Sequence, residues 1–234
     1  GLTDRSNLGV ENSLVLHENN LYFGDNGGTI RCISTDMKLK WSYDNLDDID
    51  ASLVLDIEDG KPYVYAGCQV DTQGKKGKAR LVKLDAKTGK KIWRRDFICE
   101  SRFGASPSNG GFLATPVLGK HSISDRIIIS LCRYKGFDKG GMVAINKKTG
   151  KTIWERALST YVWSSGVDIY NKKGKAYIFQ NLIWPGKTAI IDADNGEVLL
   201  DQVIDTKFEA SPAIFNNYAV FAGRSGNFYC YKIK

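Results

Sequence analysis

Residues 83–93 read KLDAKTGKKIW, and residues 144–154 read AINKKTGKTIW. A third copy, IIDADNGEVLL at 190–200, keeps the spacing with Asn195 in place of Thr and Leu200 in place of Trp. A fourth, CISTDMKLKW at 32–41, is one residue shorter and lacks the Gly, yet still ends on Trp41. An internal period is the strongest constraint a sequence can place on its own fold, because each unit must bury its apolar face against the next copy.

The rest of the period is legible around these turns. Each is preceded by a Ser/Thr-bearing segment: NSLVL at 12–16, ASLVL at 51–55, ATPVL at 114–118, SSGVD at 164–168 and ASPAI at 210–214. Two further apolar runs follow each segment, LYFG and GTIRCI in the first copy, YIFQ and TAIID in the fourth. All are short, rich in β-branched and aromatic residues, and bounded by Gly, Asn, Asp and Lys, as strands are. The unit is therefore four antiparallel strands, A to D, repeated five times at about 47 residues per copy. Gly in the C-to-D turn supplies the positive φ that a tight, bulged hairpin requires. The Trp that follows lies on the outer strand, to be covered by a neighbouring sheet.

Four-stranded meanders repeated at this length are accommodated by radial stacking. The expectation is an all-β fold: one five-bladed β-propeller domain over residues 1–234, of four-stranded antiparallel blades, with repeats at 12–43, 51–97, 112–157, 162–203 and 208–234. The last repeat stops within its C strand, and residues 1–10 are expected to close that blade.

Composition bounds the function. No stretch approaches the roughly 18 apolar residues of a membrane-spanning helix, and GLTDRSNLGV has no signal-peptide pattern. The chain lacks an initiator Met, so an upstream segment is expected to have been removed. Five cysteines without a CxxC, and two histidines, argue against structural zinc. Four of the five cysteines adjoin strand-like apolar runs (TIRCI, VYAGC, IISLC, NFYCY), where a free thiol acts as a small buried hydrophobe; that points to the cytoplasm, with a secreted or cell-envelope location behind a removed signal peptide as the alternative. The net charge of +7 is spread over turn lysines such as Lys87, Lys148 and Lys172, which describes a solvated basic surface and not a nucleic-acid site.

The repeats resemble the pyrroloquinoline-quinone-like propeller family, in its non-quinoprotein branch similar to outer-membrane assembly lipoproteins. Asp85, Thr88, Gly89 and Trp93 match the family's Asp-x-x-Thr-Gly-x-x-x-Trp turn in full, and ASP at 210–212 and ATP at 114–116 match its inner strand. The resemblance implies the propeller fold and leaves activity open, since such repeats serve quinoprotein dehydrogenases, assembly lipoproteins and sensor domains. The adjacent cysteine pair of many quinoproteins is absent and five repeats are fewer than those enzymes use, so no cofactor and no metal is expected.

Nucleotide, hydrolase and metalloprotease motifs are absent from the sequence, and no catalytic residue is assigned. DADNG at 192–196 coincides with a C-to-D turn and is read as that turn. His17 and His121 fall in A-to-B turns and are read as surface groups. Glycoside hydrolysis needs two separated carboxylates, and aligning the A strands brings Glu11, Asp50 and Glu209 to one level, with Asp168 further along, as candidate channel-mouth acids. Long loops, at 69–79, 99–112, 133–141 and 182–187, all join B to C or D to A and so share one face. Those loops and their surroundings hold Trp184, Trp163, Phe103 and Tyr134 with Arg102, Arg133 and Arg224, a set suited to binding. For Trp163 a plug at the channel mouth is an equal reading. The leading functional expectation is a monomeric, non-catalytic interaction scaffold, its partner a protein; the rivals are a module for a small anionic or sugar ligand, and a glycosidase-like enzyme.

Overall fold

The computed structural model describes residues 9–102 and 108–233 and resolves into two compact units, residues 1–112 and 113–234. The fold is all-β: among the described residues the sole helical element is a single 3-10 turn, His121–Ile123.

In the first unit, β1 (Val15–His17), β2 (Asn20–Gly24), β3 (Thr29–Ser34) and β4 (Leu39–Asp44) pair in chain order as an antiparallel meander. A second sheet follows with β5 (Val54–Glu58) and β6 (Lys61–Gly67); after the short β7 (Gln69–Val70) come β8 (Lys76–Asp85) and β9 (Lys91–Glu100), which complete the order β5-β6-β8-β9. A two-residue strand, β10 (Gly110–Gly111), pairs with β7. Tyr22, Ile30, Cys32, Val64, Val82 and Leu84 form the core between the two meanders.

The second unit repeats the scheme. β11 (Val117–Leu118) pairs with β12 (Arg126–Cys132), followed by β13 (Gly140–Asn146) and β14 (Thr152–Leu158). β15 (Val167–Tyr170), β16 (Ala176–Leu182), β17 (Gly186–Asp192) and β18 (Val198–Asp205) make the next sheet. β19 (Ala213–Phe215), β20 (Tyr218–Ala222) and β21 (Phe228–Lys232) make the last, which has three strands among the described residues. The expected closing segment, residues 1–10, lies outside the described residues up to position 8. Gly9 exchanges hydrogen bonds with Asn26 in the turn after β2.

The repeated turn has a double purpose. Asp85 Oδ1 accepts from the Lys87 and Thr88 amides and from the Thr88 hydroxyl at 2.9–3.0 Å, and Asn146 does the same for Lys148 and Thr149. Gly89, Gly150 and Gly196 then take φ of 69°, 69° and 74°. In the shortened first copy Met37 takes that conformation, at φ 63°. Sequence reasoning accounts for this much. It does not anticipate that the Trp41 ring lies on Gly89, where a Cβ would come within 2.7 Å of it, or that Trp154 lies on Gly196 at 2.6 Å. Each indole donates to the neighbouring turn, Trp41 to Ala86 O and Trp154 to Ala193 O, both at 3.0 Å.

A bulge aims each ring. The register shifts at Cys32/Ile33, Lys83/Leu84, Ala144/Ile145 and Ile190/Ile191, directly beside the Trp or Leu200 position every time. The extra residue, for example Ile92 or Ile153, stays exposed, while the Trp that follows swings inward; in the copy with Leu200 for Trp, both Leu199 and Leu200 stay exposed. Trp41 and Trp154 are consequently buried; Trp93 is half-buried, 5.8 Å from the Tyr65 ring.

The A strands begin three residues later than patterns such as NSLVL suggest, because the leading Ser or Thr is used between sheets. Ser13 N donates to Ser52 Oγ at 3.0 Å, Thr115 N to Ser165 Oγ at 2.9 Å, and Ser165 N to Ser211 Oγ at 2.9 Å. Within each unit, equivalent residues of successive sheets are thus stitched together at the inner edge, and Trp41 and Trp154 do so at the outer edge of two of these pairs.

Trp41→Ala should cost about 3–5 kcal/mol. Gly89→Ala should cost more than the ~1–2 kcal/mol of left-handed strain in the wild type, and only about that strain once Trp41→Ala has removed the ring. Urea melts of the four-member cycle measure the coupling; a strictly additive cycle would mean that ring and turn do not bear on one another.

Candidate functional site

In the first unit the chain leaving β4 runs Asn45-Leu46-Asp47-Asp48-Ile49-Asp50 before β5. Ile49 is fully buried and sits so tightly against β2 that a Cβ on Gly24 would come within 2.5 Å of it. Anchoring Ile49 draws the flanking Asp48 and Asp50 inward. Asn12 fixes the backbone on one side, donating to Gly24 O at 2.8 Å and Ile49 O at 2.6 Å. Gln69 N donates to Asp48 O at 2.8 Å on the other.

The neighbouring acids have different lives. Asp47 is fully employed, accepting from the Asp71 amide, the Thr72 amide and hydroxyl, and the Gln73 side chain at 2.8–3.2 Å, which pins the loop after β7. Asp48 is buried, with Oδ1 bonded to nothing and Oδ2 3.5 Å from Gln69 Nε2. Asp50 is half-buried, in hydrogen-bonding reach of Glu11 and Gln69, with its own Oδ1 lacking a partner. Burial, reinforced by Asp50, Asp71, Glu11 and Asp47, pushes the Asp48 carboxyl up to about 8. Burial and the facing Glu11 carboxylate push Asp50 up to about 6. Burial and Asp47 also raise Asp71.

Glu11 and Asp50, two of the sequence-derived acids, therefore meet, while the third, Glu209, belongs to a different cluster in the second unit. Glu209 accepts from Arg224 Nε at 2.6 Å and from its Nη2, and pairs with Lys207 at 2.6 Å. Burial works to raise this carboxyl, but the hydrogen bonds from Lys207 and Arg224 hold it below its usual value. Lys207 Nζ also stands 5.4 Å over the half-buried Trp163 ring. Three expected site residues, Trp163, Glu209 and Arg224, are thus joined through Lys207, which sequence reasoning passed over.

The remaining candidates are dispersed. Trp184 is 61% exposed in the loop between β16 and β17. Arg133 departs from its expected exposure: it is buried, its guanidinium 3.8 Å from the Phe137 ring and 4.5 Å from Tyr161, donating to Phe137 O at 2.7 Å. The loop after β12 folds over this cation, so Arg133 holds the loop's shape. Tyr134 covers Gly141, where a Cβ would meet its ring at 2.4 Å, beside a Lys135–Glu155 ion pair. Arg102 is exposed and bridges to Ser108, and Phe103 lies outside the described residues. Asp168 belongs to β15, in hydrogen-bonding reach of Tyr170.

No group of three His, Cys, Asp or Glu among the described residues is placed to hold a metal ion. No helix among them is long and apolar enough to cross a membrane. The run DNLDDID at 44–50 was the signal for Asp48: a solvated acidic run has no apolar anchor between its acids, and this one has Ile49 between Asp48 and Asp50.

A family model described as outer membrane protein assembly factor BamB matches residues 4–234. No curated protein matches the chain. Among solved structures, quinohemoprotein alcohol dehydrogenase from Comamonas testosteroni is similar with a TM-score of 0.66 at 16% identity, over 96% of this chain and 41% of that one. The computationally designed protein Ika8 gives 0.59 at 14%, over 94% and 57%. A quinohemoprotein alcohol dehydrogenase from Pseudomonas putida HK5 gives 0.54 at 15%, over 83% and 34%. The chain spans less than two thirds of each of these relatives, and at such identities the likeness is one of fold.

Asp48 and Asp50 both sit above the ordinary Asp value of 3.8, so the folded state holds protons that the unfolded chain has released. Their contribution to stability is complete below about pH 4 and is lost as pH rises through about 6 and then about 8. The melting temperature should fall between about pH 5 and pH 8.5. Asp48→Asn should melt higher than wild type at the upper pH and nearly level with it at the lower; calorimetry that finds parallel profiles would remove Asp48 as the titrating group.

Proposed function

Because the chain belongs to the family of the outer membrane protein assembly factor BamB, we propose that it is a non-catalytic protein-interaction module of the cell envelope. The match across residues 4–234 carries this reading. It also moves the expected location: the cytoplasm rested on the placement of the cysteines alone, whereas the family description names an outer-membrane process. The finer architecture is part of the same proposal, with the five repeats taken as five blades of one propeller domain.

The loops joining B to C and D to A are the proposed contact surface. Trp184 supports this, since a large ring left mostly in solvent at a loop tip offers a partner apolar area at little conformational cost. Tyr134, laid over Gly141, offers a second, pre-oriented ring. A small-ligand reading is favoured by one grouping, Trp163 under Lys207 with Glu209 and Arg224 beside it, because an aromatic face next to paired charges suits a sugar or an anion. Both readings are non-catalytic, and neither needs pyrroloquinoline quinone.

A photo-crosslinking residue at Trp184, introduced in the native host, should yield a discrete protein adduct, and one at Lys148 on the turn after β13 should not. Trp184→Ala should leave stability within about 0.5 kcal/mol. Adducts from Lys148 alone would place the contact surface on the opposite face. A saturable rise in melting temperature with pyrroloquinoline quinone and calcium would replace the scaffold with a quinoprotein, since a ligand selective for the folded state must raise it.

A further inference from the structure

We propose that the acidic recess of the first unit, formed by Asp48, Asp50, Gln69 and Glu11, binds a primary ammonium group, supplied by a lysine side chain or by a free polyamine. The acids alone would not carry this. Gln69 does: it is fully buried, and its side-chain nitrogen reaches toward Asp48 Oδ2 at 3.5 Å and hydrogen-bonds Asp50. Its carbonyl oxygen, on the same amide group, is buried and has no donor. With Asp48 Oδ1 and Asp50 Oδ1, likewise buried and without partners, the protein gathers three idle acceptors and turns its one amide donor group to the carboxylates.

The complement of that set is a group with three donors, no acceptor and a positive charge. A primary ammonium is that group. A guanidinium spreads five donors through a plane, leaving some without acceptors here. A metal ion needs several oxygens at roughly 2.0–2.6 Å from one point, and no three His, Cys, Asp or Glu side chains among the described residues are placed to hold one. The charges acting on Asp48 are Asp50, Asp71, Glu11 and Asp47, all acids, so the recess has no cation of its own among them. Glu11 is exposed and within reach of Asp50, which makes it the lip over which an amine would enter. An ammonium also settles the recess electrostatically, because an opposite charge within a few ångströms favours the ionised carboxylate. Binding should therefore release protons and tighten as pH rises from 6 toward 8.5, below the amine's own pKa of about 10.4.

The inference deepens the scaffold reading and rests on it only for where a lysine would come from. Thermal shift and calorimetric titration of the whole chain at about pH 8.5 and low salt test it, with cadaverine, an Nα-acetyl-lysine peptide amide, tetramethylammonium and calcium as probes. Cadaverine or the lysine peptide should raise the melting temperature saturably; tetramethylammonium, with equal charge and no N–H, should not. Asp48→Asn and, separately, Gln69→Met should each weaken amine binding about tenfold or more, with Asp50→Asn as the substitute if either fails to fold. The stronger of the two amines identifies the source. Equal shifts from tetramethylammonium, a larger one from calcium, or amine binding indifferent to all three substitutions would overturn the proposal. Amine binding without any Trp184 adduct would sustain the site and count against the scaffold.

Discussion

The contact on which the structure depends is an indole ring lying on a glycine. Within one sheet the hydrogen bonds are satisfied by neighbouring strands, and nothing in them specifies how the next sheet is placed. Trp41 on Gly89 and Trp154 on Gly196 supply that information, because the ring needs a residue with no Cβ beneath it and an acceptor at its edge, Ala86 O or Ala193 O. The two demands on the glycine, positive φ and an empty face, coincide at one position. The bulge before each Trp completes the device by turning the ring inward and leaving Ile92 or Ile153 outside. Ser52 and Ser165 fix the opposite edge of the two Trp-joined pairs, which are thus held at two ends, and Ser211 does the same for the pair in which Leu200 replaces the Trp.

Much of this was legible because repetition separates architecture from accident. The B and C strands, the Thr-Gly turns and the bulged hairpins fall where the period put them. The A strands do not, since Ser and Thr in a strand-like pattern read as strand residues until a partner sheet is seen to claim them. The site was less legible. Arg133 sits in a loop sequence, RYKGFDKGG, that looks solvated, yet the Phe137 and Tyr161 rings enclose it; a cation among aromatics cannot be told from an exposed one without knowing how the loop folds. Lys207 was invisible for the same reason, as its role depends on Trp163 and Glu209 arriving from elsewhere. Glu11 and Asp50 were found together because the repeat alignment placed them at one level, whereas Asp48 was missed by following the alignment and ignoring the local run.

The charges divide into two kinds with opposite consequences. Asp47, Glu209 and the Arg80–Asp96 pair are satisfied by donors from their own unit, and such groups give loops a definite shape. Asp48 and Asp50 are held in without that compensation. Stability alone gives no reason to keep them, because an unsatisfied buried acceptor costs about 1–3 kcal/mol.

Hydrogen exchange of the indole N–H groups tests the central contact most directly. The Trp41 and Trp154 protons, donated to the turn of the next sheet, should exchange only through opening of that sheet-to-sheet contact, orders of magnitude more slowly than the proton of exposed Trp184. Exchange of Trp41 and Trp154 at the rate of Trp184 would mean that the rings do not hold the sheets together.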